Sequence, residues 1–389
     1  MHLDSKLPDV GTTIFTVMSK MAADHQAINL GQGFPDFNTD PRLLELVQDA
    51  MNSGYNQYPY MPGVEPLRRV IADKVQTLYQ HSYDKDSEIT VTSGATEALM
   101  ASILASVHNG DEVIVIDPCY DSYVPAIRLA GGIPVRVSMV APKHTSETFH
   151  VNWHDVKAAI TPHTRLIILN FPHNPTGATL TLDDLDQIES LVDGTDILLV
   201  SDEVYEHIVF APGGHLSLAS RPKLADRTFV ISSFGKTTHT TGWKVGYCCA
   251  PRALTQELRK VHQFLVFTVP SPFQYALATY TRDSSTYLNL SQFYRAKRDR
   301  LAAGLANSRF NTYSCPGTFF MLADYSEISD MSEADFSIWL TQEHGVTVIP
   351  VSAFYADPGA QTSNHQLIRF CFAKTDEMLD SAIALLSKV

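Results

Sequence analysis

The sequence predicts an α/β protein. A mainly parallel sheet sandwiched by helices is expected over residues 41–285, with a smaller α+β domain over 286–389. Three observations carry this. From about residue 88, short apolar runs alternate with helical stretches, the rhythm of strand–helix–strand units. The runs are continuous rather than alternating in polarity, as strands covered on both faces require. Beyond residue 285 the elements become shorter in period. Residues 1–40 are expected to form an arm against that C-terminal part, because termini often meet in two-domain chains. A length of 389 residues also favours two cores over one.

The elements follow in order. Residues 88–92 read as a strand and 96–108 as a helix with Thr96 near its start. Residues 112–117 form a strand closed by Pro118, and 135–140 another. The near-continuous apolar run 165–171 is a strand, 182–191 a helix and 196–201 a strand again. Residues 228–232 and 244–250 complete the sheet, in which one antiparallel member is allowed. In the C-terminal part a long polar helix spans 292–305. Strands are expected at 318–324, 346–350 and 367–373, with a helix at 334–343.

Composition narrows the function. The chain is 44% hydrophobic and 18% charged, as globular proteins are. Its 29 Lys and Arg against 42 Asp and Glu give a net charge of −13, which argues against nucleic acid or an anionic membrane as partner. A small anionic ligand needs only a local cationic pocket. Cys119, Cys248, Cys249, Cys315 and Cys371 include an adjacent pair and no CxxC, so neither a disulfide framework nor a metal site is expected. The chain opens without the apolar core of a signal peptide and holds no run of membrane-spanning length. A cytoplasmic location is the expectation.

The stretch from Ser232 to Tyr247 is the most informative. It sets Lys236 and Lys244 among three glycines and small hydroxylated residues, and buried lysines need partners. Gly235-Lys236-Thr237 resembles the end of a nucleotide-binding P-loop, but that motif needs glycine where Val230 stands. A solvated turn is the plain alternative. One chemistry uses both lysines: an amine that condenses with an aldehyde, beside a cation and hydroxyls that hold a phosphate. Pyridoxal 5'-phosphate carries both groups on one ring.

Ligands of an open parallel sheet sit beyond the carboxyl ends of its strands. Ser93-Gly94-Ala95-Thr96 opens a helix there, which suits a phosphate or is an ordinary helix cap. Tyr120 follows the next strand and is either a stacking partner for a flat ring or a packing aromatic. Asn174, in Asn174-Pro175-Thr176-Gly177, projects a neutral donor from what is also strong turn chemistry. Asp202 and Tyr205 follow a buried strand. A carboxylate there must meet a cation, either an arginine or a protonated pyridine nitrogen. His173 reads as structural.

Taken in order, these runs resemble the fold type I aminotransferases, the aspartate aminotransferase-like class I/II family, over nearly the whole chain. They are similar above all to its methionine, glutamine and kynurenine branch. Residues 29–37 (Asn-Leu-Gly-Gln-Gly-Phe-Pro-Asp-Phe), Asn56-Gln57-Tyr58, Ser93–Glu97, His173–Gly177, Ser201–Tyr205, Ser232–Lys236 with Gly242–Tyr247, and Ile368–Phe372 carry the resemblance. It implies a seven-stranded sheet and a homodimer. Lys236 would be the catalytic lysine that holds the cofactor covalently. Ser233 and Lys244 would bind its phosphate with Gly94, Ala95 and Thr96, and Tyr58 would reach that phosphate from the neighbouring subunit. Asp202 would keep the ring nitrogen protonated, Tyr120 would stack, and Tyr205 and Asn174 would contact the ring oxygen. Arg369 would clamp the substrate carboxylate, with Gly33 and Asn174 beside it.

The reaction so implied exchanges an amino group between an L-amino acid and a 2-oxo acid. No second arginine is tied by motif to a side-chain carboxylate, and Phe34, Tyr60 and Tyr120 suit a long neutral side chain. Methionine is favoured, with glutamine, aromatic amino acids or kynurenine as weaker candidates. A carbon–sulfur β-lyase would use the same Lys236 amine. A non-catalytic sensor would need a DNA-binding module, which the acidic composition disfavours.

Overall fold

In a computed structural model, residues 4–356, 359 and 365–389 are described. The strands are β1 (Ile28–Asn29), β2 (Ile89–Thr92), β3 (Glu112–Asp117), β4 (Ile133–Ser138), β5 (Thr164–Asn170), β6 (Leu198–Asp202), β7 (Thr228–Ser233) and β8 (Gly246–Cys249), then β9 (Asn311–Thr312), β10 (Phe320–Asp324), β11 (Val346–Thr347), β12 (Ile349–Pro350) and β13 (Leu367–Cys371). β2 to β8 form one sheet in the order β2-β8-β7-β6-β5-β3-β4. Only β8 runs against its neighbours.

Why the apolar runs are continuous is visible in the packing. Ile114 and Ile116 of β3, Ile167 and Leu169 of β5 and Leu199 of β6 enter one core. Their chain neighbours Val113, Val115, Leu166, Ile168 and Val200 enter another on the opposite face. Successive side chains of a strand point to opposite faces, so a sheet with both faces covered needs apolar residues at every position. Burying each such side chain contributes about 1.5–3 kcal/mol.

A four-stranded sheet, β12-β13-β10-β9, lies in the C-terminal part, and β1 pairs in parallel with β11. Two strand expectations change. The run 346–350 is not one strand: Val346 and Thr347 pair with β1, whereas Ile349 and Pro350 pair with β13. The chain changes partner at Val348, which is fully buried. The run 244–250 forms a strand only from Gly246, because Lys244 sits in the left-handed region at φ 53°. The expected polar helix is Leu290–Leu305, but Tyr294 and Lys297 on it are buried, and the Lys297 ammonium donates to the Lys374 carbonyl at 2.7 Å.

Candidate active site

The carboxyl ends of β2, β3, β5, β6 and β7 meet at one edge of the large sheet. β8 runs the other way, so its amino end lies at that edge, with Gly246 opposite Thr92 and Ser233. That reversal brings Lys244 to the residues following β2 and β7. A cavity of about 280 Å³ opens there. Gly33, Gly94, Ala95, Thr96, Tyr120, Asn174, Asp202, Tyr205, Ser233, Lys236, Lys244 and Arg369 all line it. Of the residues singled out in the sequence, Tyr58 does not. It is 82% exposed and meets Phe267 edge-on at 5.5 Å. Tyr60 is also absent from the lining and lies beside the Arg68 guanidinium, 5.4 Å from its ring centre.

The anion cradle is built on the helix Gly94–Ser106. The Ser93 side chain does not cap it, so its first-turn amides keep their positive end toward the cavity. Glu97 fixes the turn from below. One carboxylate oxygen accepts from the Ser93 N–H at 3.0 Å, and the other lies 3.0 Å from His262 Nδ1. Lys244 Nζ donates to the Thr96 hydroxyl at 3.2 Å. Gly246 is required for this approach, since a Cβ there would fall 2.8 Å from the backbone of Gly94 and Ala95.

Lys236 follows β7 on a single helical turn, Phe234–Thr237. Its ammonium donates to the Gly33 carbonyl at 2.8 Å and lies over the rings of Phe319 and Tyr205 at 5.2 and 5.6 Å. Burial pushes its pKa from the ordinary 10.5 down to about 8, with Arg369 and Lys244 adding repulsion. About a tenth is therefore the neutral, nucleophilic amine at pH 7, far more than for an ordinary lysine.

Asp202 ends β6 and is buried. Tyr123 donates its hydroxyl to Oδ2 at 2.7 Å, while Oδ1 has only a 3.4 Å contact from the Val204 N–H. Burial raises its pKa to about 6, opposed first by Tyr123. Asn170, at the end of β5, donates to the Asp202 carbonyl at 3.0 Å and accepts from the Asn174 N–H at 3.0 Å. One amide side chain thus ties the strand end to the turn.

Arg369 lies on β13 and has no exposure. It donates to Asn174 Oδ1 at 2.7 Å and to the Gly31 carbonyl at 2.8 Å, while its Nε is buried without a partner. Phe320, Phe15 and Phe354 surround the guanidinium at 3.8, 5.3 and 5.2 Å. Among the described residues Arg369 forms no salt bridge, and burial depresses its pKa to about 10. A buried cation without a counter-charge is costly unless a ligand supplies one.

Sequence reasoning missed Tyr123, Asn170, Phe15 and Phe320. Asn170 shares a signal with Asp202, a polar side chain closing an apolar strand. The three aromatics carry none, because their spacing is that of ordinary core residues.

A half-buried lysine of lowered basicity, facing an anion cradle on an α/β sheet, defines an enzyme whose chemistry is centred on a lysine amine. The chain belongs to the aminotransferase class I and II family, whose sequence profile it matches over residues 25–386. It is 50% identical to the methionine aminotransferase of Escherichia coli (strain K12) over 379 residues, 97% of this chain and 96% of that protein. It is 41% identical to a probable N-succinyldiaminopimelate aminotransferase of Mycobacterium tuberculosis over 391 residues, 98% of this chain and 97% of that one. A solved Escherichia coli structure reported with a methionine aminotransferase function superposes with a TM-score of 0.96 at 49% identity, covering 100% of both chains. The fold is the aspartate aminotransferase-like one.

Proposed function

We propose that this aminotransferase binds pyridoxal 5'-phosphate in the cavity and acts on an L-amino acid with a long neutral side chain, methionine before others. The single observation that carries the reading is the placement in one cavity of Lys236, whose pKa is brought down to about 8, and Arg369, a buried cation with no carboxylate partner among the described residues. The residues suit the cofactor. The uncapped turn at Gly94–Thr96, the Ser233 side chain and Lys244 offer donors to a phosphate. Asp202 Oδ1 retains acceptor capacity for a protonated ring nitrogen, and the Tyr120 ring offers a flat face. When bound, the cofactor supplies an electron-accepting ring that makes the substrate Cα–H acidic.

The chain's own groups do the rest. Lys236 would hold the cofactor through its amine, and the same amine, when free, would take the proton from the substrate Cα. Arg369 receives the α-carboxylate through parallel N–H donors and so fixes the amine and Cα relative to Lys236. Asn174 keeps its carbonyl on Arg369, which leaves its amide N–H groups for the ligand.

Methionine and N-succinyldiaminopimelate are the substrates named for the two relatives. The described lining holds one arginine, and its two lysines have other tasks. Phe15, Phe34, Tyr120 and Phe320 supply apolar surface instead. That balance favours the neutral side chain, with selectivity over near analogues of about ten- to two-hundred-fold.

The protein works as a cytoplasmic homodimer in this reading. Tyr58, Phe264 and Phe267 are large and 82%, 84% and 43% exposed. A second copy would cover that apolar surface and receive Tyr58 at its own phosphate cradle.

Absorbance spectroscopy with a panel of amino acids tests the reading. A yellow chromophore should bleach with methionine and return with a 2-oxo acid. A protein that binds no pyridoxal 5'-phosphate would end the proposal, and ammonia and oxo acid formed without an acceptor would make it a β-lyase.

A further inference from the structure

We infer that Tyr123 is a positioning residue that holds the Asp202 carboxylate and the Tyr120 ring in place as one unit. This rests on the cavity taking pyridoxal 5'-phosphate. Tyr123 opens the helix Tyr123–Leu129, three residues after Tyr120. It is 2% exposed, and its hydroxyl donates to Asp202 Oδ2 at 2.7 Å. Its ring meets that of Tyr120 edge-on, 5.7 Å between centres and 78° between planes. The two groups assigned to the cofactor ring, one for its face and one for its nitrogen, are therefore braced by a single side chain that does not line the cavity. The backbone of Asp202 is fixed separately, by Asn170. Among the described residues Tyr123 alone gives the carboxylate a short hydrogen bond, since the Val204 N–H stands at 3.4 Å.

The charged and titratable groups facing Asp202 are few. Glu203, next in the chain, repels its charge, and Lys236 beyond β7 attracts it. Tyr120 and Tyr205 complete the surround. Burial favours the protonated acid, and the Tyr123 hydroxyl is the largest opposing influence. Burial and the Asp202 charge hold the Tyr123 proton far above the usual phenol range, so it stays a donor throughout the working pH range. A protonated Asp202 cannot hold a proton on the ring nitrogen, so the cavity loses affinity as pH falls through the carboxylate's pKa.

The test is the pH dependence of pyridoxal 5'-phosphate binding to the cofactor-free protein, wild type against Tyr123→Phe. The substitution keeps the ring and removes the hydroxyl. The acid-side loss of affinity should move to higher pH by roughly one to two units, as loss of a hydrogen bond to a charged group implies, leaving the variant about two- to fifteenfold weaker at pH 7 and closer to wild type at pH 8.5. The ratio of the two constants cancels titration of the ligand itself. In an Asp202→Asn background, Tyr123→Phe should add nothing. Equal weakening at every pH, or an undiminished effect in that background, would overturn the positioning role while leaving the cofactor reading intact. A wild-type protein that does not bind the cofactor would overturn the reading on which it rests.

Discussion

Arg369→Met separates recognition of the substrate carboxylate from everything else the cavity does. Methionine is close to arginine in length and suits a site walled by Phe320, Phe15 and Phe354. It also removes a fully buried cation that has no carboxylate partner among the described residues, at the cost of the donors to Asn174 Oδ1 and the Gly31 carbonyl. Two parallel hydrogen bonds to a carboxylate are each worth about 1.5–3 kcal/mol, so their loss should cost roughly 3–6 kcal/mol. That is about 10²- to 10⁴-fold in kcat/KM. The assay is the single-turnover bleaching of the holoenzyme by methionine and by 3-(methylthio)propylamine, the same chain without its carboxylate. Wild type should favour methionine by that factor, and Arg369→Met should lose the preference while reacting with the amine much as wild type does. Circular dichroism checks that the variant is folded. If both substrates slow equally, Arg369 supports the fold and the carboxylate is bound elsewhere.

Other outcomes follow from the same geometry. Reductive methylation of the cofactor-free protein, followed by peptide mass analysis, should label Lys236 with an apparent pKa of about 8, well below the ordinary 10.5 of a lysine. Asp202 is raised from 3.8 to about 6, so its contribution to stability is present below 3.8 and is lost as pH rises through 6. Asp202→Asn should therefore stabilise the cofactor-free protein at pH 7, by up to ~3 kcal/mol in denaturant unfolding, while weakening cofactor binding. Gly246→Ala would drive a Cβ to 2.8 Å from the Gly94 and Ala95 backbone. It should cost about 1–3 kcal/mol in thermal unfolding and loosen phosphate binding in the same titration.

Much of the fold was legible because a sheet covered on both faces prints its strands as unbroken apolar runs. Val113–Ile116 and Leu166–Leu169 divide residue by residue between two cores. The split at Val348 was not legible, since both halves of 346–350 are apolar and hydropathy does not say which strand each will pair with. Lys236, Asp202 and Asn174 were legible as polar residues placed just after apolar strands, where a ligand edge is expected. Tyr123 and Phe320 open a helix and a strand, where an aromatic is indistinguishable from core. Tyr60 followed the opposite course, because an aromatic near a motif was read as lining the cavity and instead lies beside Arg68.

The central claim is that Lys236, not Lys244, is the covalent anchor. Borohydride reduction of the cofactor-loaded protein, proteolysis and peptide mass analysis test it directly. The account predicts one phosphopyridoxyl adduct per chain, on Lys236, and its disappearance on addition of methionine before reduction. An adduct on Lys244, or none on either lysine, would contradict it.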